Sequence, residues 1–296
     1  MEPIPIPRSI DLTADAVYEA SRIASSGDIS LQGAVEMALL GCVCECIGKR
    51  PAEVLSWYGG ANGREISQVV KINQMYTREE NQGGAQLRGC VKLKVGENPI
   101  RDAEKVNSAA SGLVGTARLR LDANQSWTPD EYHTFATSLS ESTKAKIEYI
   151  EEPTVTWNDD LIRLGIPTAM DESLATAKSF PACERTDVYF VLKPGVIGWR
   201  RACQYVASYP HRCCLSSMFE SSLAMYWCTA LASLCGDGVY HGLSTSGRVI
   251  EPRKRTYEDI TRKSEGQWFV NVHDCEEELK TITAALVREN DDFSIF

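Results

Sequence analysis

The chain has 296 residues, 43% of them hydrophobic, which is ample for a large buried core and too apolar for a disordered segment. Forty acidic residues outnumber 31 basic ones, for a formal net charge of −9, which argues against nucleic acid or an anionic membrane surface as the main partner. Eleven cysteines, an odd number without framework spacing, point to reduced thiols and a cytoplasmic setting.

The opening Met1-Glu2-Pro3-Ile4-Pro5 has neither a basic n-region nor an apolar h-region, so no leader is expected. No apolar run reads as long enough to span a bilayer. Two helices are expected next, over residues 13–24 and 30–47. Cys42, Cys44 and Cys46 fall in the second. Their spacing invites a zinc site, but on a helix two share a face while the third points elsewhere, and packing as core cysteines is the favoured reading. A weak first barrel strand is expected near residues 54–57.

From residue 88 onward, short β-branched or apolar runs alternate with amphipathic stretches. Strands are expected at 89–95, 117–122, 147–151, 168–171, 188–193, 213–217 and 239–242. Helices are expected at 99–113, 129–139, 157–164, 198–208 and 221–234, and Thr128-Pro129-Asp130 carries a cap residue ahead of a proline. A strand at 267–272 and a helix at 276–288 would return to the N-terminal piece. Repeated strand–helix units without hairpin signals predict an α/β fold, a (β/α) barrel. The organisation read from this is an N-terminal helical region, 1–87, a barrel, 88–250, and a C-terminal segment, 251–296.

Chemistry-bearing residues recur at the C-terminal strand ends, where barrel enzymes place their sites: Lys92 and Lys94, Asp122, Glu151, Asp171 and Lys193. A lone acid at such a place is more often a helix cap. Three on successive strands reverse those odds, and an all-oxygen set without histidine selects Mg²⁺, or Mn²⁺, over zinc. Lys92 and Lys94 share one strand face, where burial is costly unless each ammonium is paired or deprotonated. A cation beside a lysine suits removal of a proton next to a carboxylate.

The segments Val91-Lys92-Leu93-Lys94-Val95-Gly96, Arg118-Leu119-Arg120-Leu121-Asp122-Ala123-Asn124, Ile150-Glu151-Glu152-Pro153, Met170-Asp171-Glu172-Ser173, Leu192-Lys193-Pro194 and Leu215-Ser216-Ser217 together resemble the enolase superfamily and, within it, the o-succinylbenzoate synthases. The resemblance implies a β7α-type barrel in which Asp122, Glu151 and Asp171 bind Mg²⁺. It implies that Lys94 is the base, that Lys193 stabilises the enediolate, and that Lys92 and Asn124 support the reacting carboxylate. Ser216, Ser217 and the backbone near Gly242 would hold the succinyl tail of a small carboxylate substrate. The reaction implied is dehydration of 2-succinyl-6-hydroxy-2,4-cyclohexadiene-1-carboxylate to 2-succinylbenzoate, in menaquinone biosynthesis. The capping β-meander of the family has no counterpart here, and the expected cap is reduced and mainly helical. Three readings therefore stand side by side: the synthase; a racemase or epimerase of N-succinylamino acids or dipeptides using Lys94 and Lys193 as opposed bases; and a non-catalytic barrel. A homo-oligomer or a partner chain would complete the cap.

Overall fold

A computed structural model describes residues 13–76, 86–156, 164–176, 186–218, 220–244, 257–264 and 267–290. Its elements in chain order begin with α1 (Ala14–Ala24), α2 (Ile29–Ile47) and α3 (Pro51–Tyr58). Local chemistry sets their ends. The Thr13 hydroxyl accepts from the Ala16 amide, Asp28 accepts from the amides of Ser30 and Leu31, and Gly48 closes α2 at φ 63°. α3 replaces the strand expected near 54–57: Pro51 in the first helical turn and Glu53, which accepts from the Arg50 amide, are start signals that outweigh the apolar run.

α2 also corrects the expectation that no segment is long enough to cross a membrane. It is 19 residues long, and an 18-residue window of it has a mean hydropathy of 1.4, so it passes by length and composition alone. The helix carries Glu36, which is fully buried and accepts hydrogen bonds from Tyr58 Oη and the Trp199 amide, both at 2.8 Å. Cys42 and Cys46 are exposed and only Cys44 is half-buried, so the core reading of this cluster is wrong for two of the three. The described cysteines are free thiols, and Cys213 and Cys214 are buried as expected.

The chain continues through β1 (Val69–Ile72), β2 (Gln74–Met75), β3 (Cys90–Lys94), α4 (Pro99–Ser111), β4 (Arg118–Asp122), α5 (Pro129–Ser138), β5 (Ile147–Glu151), β6 (Thr168–Met170) and β7 (Val188–Leu192). Then come α6 (Pro194–Ile197), α7 (Trp199–Ser208), β8 (Cys213–Leu215), α8 (Ser222–Ala232), β9 (Tyr240–His241), β10 (Thr261–Ser264), β11 (Gln267–Asn271) and α9 (Val272–Asn290). One sheet runs in the order β2-β3-β4-β5-β6-β7-β8 and the other in the order β10-β11-β1-β9. Four strand assignments differ from expectation. β1, β2 and β10 have no counterpart among the expected strands, β2 being the first strand of the larger sheet, and the strand expected at 239–242 belongs to the smaller sheet. The helix expected at 157–164 lies almost wholly outside the described residues.

The chain divides into two compact units. One comprises Ile72–Val191 and Lys263–Trp268. Its strands β3 to β6 pair in parallel, and their outer face carries Val91, Leu93, Leu119, Leu121 and Ile150 against Val106 of α4 and Tyr132 and Phe135 of α5. Burying each such side chain contributes about 1.5–3 kcal/mol, so this face holds the strands in place. The other face is polar at its C-terminal end. The second unit comprises Met1–Lys71, Leu192–Arg262 and Phe269–Phe296, with a core that includes Leu40, Leu55, Tyr58, Tyr205 and Met225.

Candidate active site

In the first unit, strand register assembles the acids. Lys94 lies beside Asp122 and Asp122 beside Glu151, the last residues of β3, β4 and β5. Side-chain alternation puts Lys92 on the same face as Lys94. Lys92 Nζ bridges Glu151 Oε2 at 2.6 Å and Asp122 Oδ2 at 2.8 Å. Lys94 Nζ lies 2.7 Å from Asp122 Oδ2 and 2.6 Å from Asn124 Oδ1. The two lysines differ in setting: the Lys92 side chain is 13% exposed and that of Lys94 is 54% exposed. Lys94 is thus held by two oxygens with its ammonium open to solvent.

Charge pairing resolves the cost of these buried groups. Burial alone would lower the Lys92 ammonium, but Glu151 and Asp122 outweigh it and hold the group above the usual lysine range. Burial pushes Glu151 up to about 7; Lys92 opposes the rise, and the negative charges of Asp122 and Asp171 add to it. For Asp122, burial acts upward, but Lys92 and Lys94 prevail and leave it below its ordinary value. Two residues earlier on β4, Arg120 is 1% exposed and pairs with Glu148 at 2.8 Å while stacking over the Tyr149 ring.

The turns after these strands are conformationally unusual. Asn124, Gln125 and Glu152 adopt φ of 45°, 58° and 36°, a region that non-glycine residues seldom occupy. Glu152, next to Glu151 at the end of β5, has a role that the pattern of strand-end acids does not show. Its carboxylate is 1% exposed and accepts from the Asp171 and Ser173 amides and the Ser173 hydroxyl, each at 2.8 Å, and from Gln125 Nε2 at 3.3 Å. It ties the turns after β4, β5 and β6 together; the adjacent acids Glu151-Glu152 at a strand end were the available signal. Gly96 packs where a side chain would not fit: at φ 115°, a Cβ there would meet the Ala123 carbonyl oxygen at 2.8 Å. The loop it begins is anchored by Asp102, which accepts the amides of Gly96, Glu97 and Asn98.

The second unit holds the remaining predicted residues. Lys193 caps α6, and its charge lowers the Glu220 carboxyl, which burial raises overall. The Ser216 amide donates to the Leu192 carbonyl at 2.9 Å. The Ser217 amide and hydroxyl both donate to the Gly242 carbonyl, at 3.1 and 3.3 Å. Lys193, Ser216, Ser217 and Gly242 therefore follow the ends of β7, β8 and β9.

Asp122, Glu151 and Asp171 are 4%, 2% and 7% exposed and supply only oxygen donors, the set a hard divalent cation prefers. Burial is what chiefly raises the Glu151 carboxyl, with Asp122 and Asp171 adding to the rise, and a cation bound here would favour its charged form. Among the described residues, no three acid, imidazole or thiol groups are drawn together at metal-binding spacing, and Asp122 and Glu151 are joined through Lys92. In donor chemistry, the three acids fit the ion.

The sequence model of a family described as "Enolase C-terminal domain-like" matches residues 78–263. The o-succinylbenzoate synthase of Aliivibrio fischeri is 30% identical over 185 residues, covering 60% of this chain and 54% of that protein. An L-Ala-D/L-Glu epimerase of Clostridium acetobutylicum is 25% identical over 220 residues, covering 70% of this chain and 61% of that protein. The chain thus spans 54–61% of the length of these curated relatives. Among solved structures, an enolase-superfamily member of Roseovarius nubinhibens complexed with magnesium aligns with a TM-score of 0.63 at 19% identity, over 88% of this chain and 73% of that one. A dipeptide epimerase of Methylococcus capsulatus, complexed with Mg and the dipeptide L-Arg-D-Lys, aligns with a TM-score of 0.61 at 22% identity, over 87% and 74%. These structural likenesses carry the fold: a (β/α) barrel preceded by a helical piece.

Proposed function

Because this chain belongs to the enolase superfamily, in the enolase C-terminal domain-like family, we propose that it removes a proton beside a carboxylate and expels hydroxide. The specific reaction is dehydration of 2-succinyl-6-hydroxy-2,4-cyclohexadiene-1-carboxylate to 2-succinylbenzoate. The observation that carries this reading is Lys94, an ammonium open to solvent yet held by Asp122 and Asn124 at a strand end beside buried acids.

Asp122, Glu151 and Asp171 would hold Mg²⁺. The ion, when bound, supplies Lewis-acid stabilisation of negative charge on the substrate carboxylate. Lys94 Nζ, as the free amine, takes the ring proton: the C–H bond breaks and its electron pair moves toward the carboxylate. The same Nζ then returns that proton to the departing hydroxyl, so the C–O bond breaks, water leaves and the ring becomes aromatic. Lys92 steadies Asp122 and Glu151 by its two ion pairs and adds positive charge beside them. Lys193 would balance charge on the enediolate, and Ser216, Ser217 and Gly242 would position the succinyl tail.

Lys94→Ala should lower Mg²⁺-dependent formation of 2-succinylbenzoate by at least about 10³-fold, with unchanged circular dichroism. Product formation at the wild-type rate in that variant would overturn the role of Lys94. Similarity to the Clostridium epimerase over a longer stretch favours a second reading, epimerisation of an acylated amino acid or dipeptide. That reading expects α-deuterium exchange in both enantiomers of N-succinylphenylalanine, lost with either Lys94→Ala or Lys193→Ala. It is discarded if neither enantiomer exchanges.

A further inference from the structure

A concavity of about 550 Å³ is built from a single stretch of the helical unit, running from the end of α2 through α3 to Ile66. That size is ordinary for a small-molecule pocket, about 300–1,000 Å³. Its charge is not ordinary for this chain. Lys49, Arg50 and Arg64 line it against one acid, Glu53, on a protein whose net charge is −9.

Glu53 is already committed. It accepts from the Arg50 amide at 3.0 Å, Lys49 Nζ at 3.1 Å and Arg50 Nε at 3.4 Å. Glu276 of α9 also acts on Arg50, and three cations against these two carboxylates still leave surplus positive charge around the cavity. The Lys49 and Arg50 side chains are 56% and 46% exposed, so each head group can turn toward a ligand. Arg64 is held differently. Its Nη2 donates to the Ala207 carbonyl at 2.9 Å and its Nη1 to the Leu234 carbonyl at 3.5 Å. A guanidinium has five N–H donors, so these two bonds fix Arg64 and leave donors for an anion.

The remaining wall is apolar. Trp57 is half-buried and lines the cavity with Val54 and Ile66. An indole beside partly exposed cations suits a flat ring that carries a negative group: the ring packs on the aromatic side chain, and the charge meets a lysine or arginine. A small inorganic anion would leave the apolar wall unused, and a neutral ring would leave the cations unused.

We propose that this cavity is a binding site for a planar aromatic anion, a ring system bearing a carboxylate or a phosphate. It is formed by residues other than the strand-end acids and lysines. Two sources share this chemistry, aromatic carboxylic acids and nucleotides, and titration calorimetry on the full chain separates them. The probes are 2-naphthoate, 5′-AMP, 2-naphthylmethanol as the neutral counterpart, and inorganic phosphate.

The expected result is saturable one-to-one binding of 2-naphthoate or 5′-AMP, at least about tenfold tighter than for the neutral ring or for phosphate. The double variant Lys49→Gln/Arg50→Gln should weaken it about tenfold, as should Trp57→Leu. Glu53→Gln should act in the opposite direction and tighten it, because it removes the one acid that lines the cavity while a side-chain oxygen remains for the Arg50 amide. Lys94→Ala should leave it unchanged. Should Trp57→Leu fail to fold, the surface variants Lys49→Gln/Arg50→Gln and Glu53→Gln decide the matter. The proposal is overturned by absence of binding of both ring anions at millimolar concentration, by equal affinity for the neutral ring or for phosphate, or by binding indifferent to the Lys49/Arg50 and Glu53 changes.

Discussion

Glu152, its own backbone at φ 36°, accepts four hydrogen bonds through its carboxylate, so one side chain ties the ends of three strands together. Two of those donors are the backbone amides of Asp171 and Ser173, which set where Asp171 points. Charge-assisted hydrogen bonds contribute about 1.5–3 kcal/mol each. Glu152→Gln keeps the shape but loses the charge, so the apparent affinity for Mg²⁺ should fall about tenfold or more, with secondary structure retained. Calorimetric Mg²⁺ titration of the two proteins checks this, and equal affinity would remove Glu152 from the positioning of Asp171. Lys92, Lys94, Asp122, Glu151 and Asp171 were visible in the sequence because ionisable groups interrupt apolar strands. Glu152 was not, because its work depends on which amides a turn brings to it.

At the scale of elements, α2 shows how one buried acid can secure an apolar helix. Glu36 takes the Tyr58 hydroxyl from α3 and the Trp199 amide at the start of α7. Burial raises its carboxyl above the ordinary value, and Tyr58, Trp199 and Arg200 offset only part of that rise. The folded chain therefore binds this proton more tightly than the unfolded chain does. The group's contribution is most favourable below the ordinary carboxylate pKa and declines as pH rises from there through the raised value. Glu36→Gln has no such titration. Urea denaturation of both proteins between about pH 4 and 8 should show the variant gaining stability relative to wild type as pH increases. A difference that stays flat with pH would contradict the assignment.

Across the whole molecule, β3, β4, β5 and β7 fell within a residue or two of expectation. Each has five residues, enough for an alternating pattern or, in β7, a continuous apolar run to be read without reference to any partner. The three-residue β6 and β8 were legible too, as apolar runs at 168–171 and 213–217, whereas a strand of two residues carries no pattern of its own. β2 has two residues, and its place in the larger sheet rests on its pairing with β3, where Gln74 stands opposite Val91 and Met75 opposite Lys92. β9 has two residues as well, and it joins the smaller sheet rather than the larger one.

The amino-acid order by itself determined the repeating strand–helix pattern and the positions of the acids and lysines at strand ends, because both are properties of local spacing. Tertiary structure alone decided that Lys92 bridges two acids while Lys94 stays open to solvent, and that Lys49, Arg50 and Arg64 surround one cavity with Trp57. Ion pairing, solvent exposure and concavity depend on which distant or turning segments meet, and no local period encodes that.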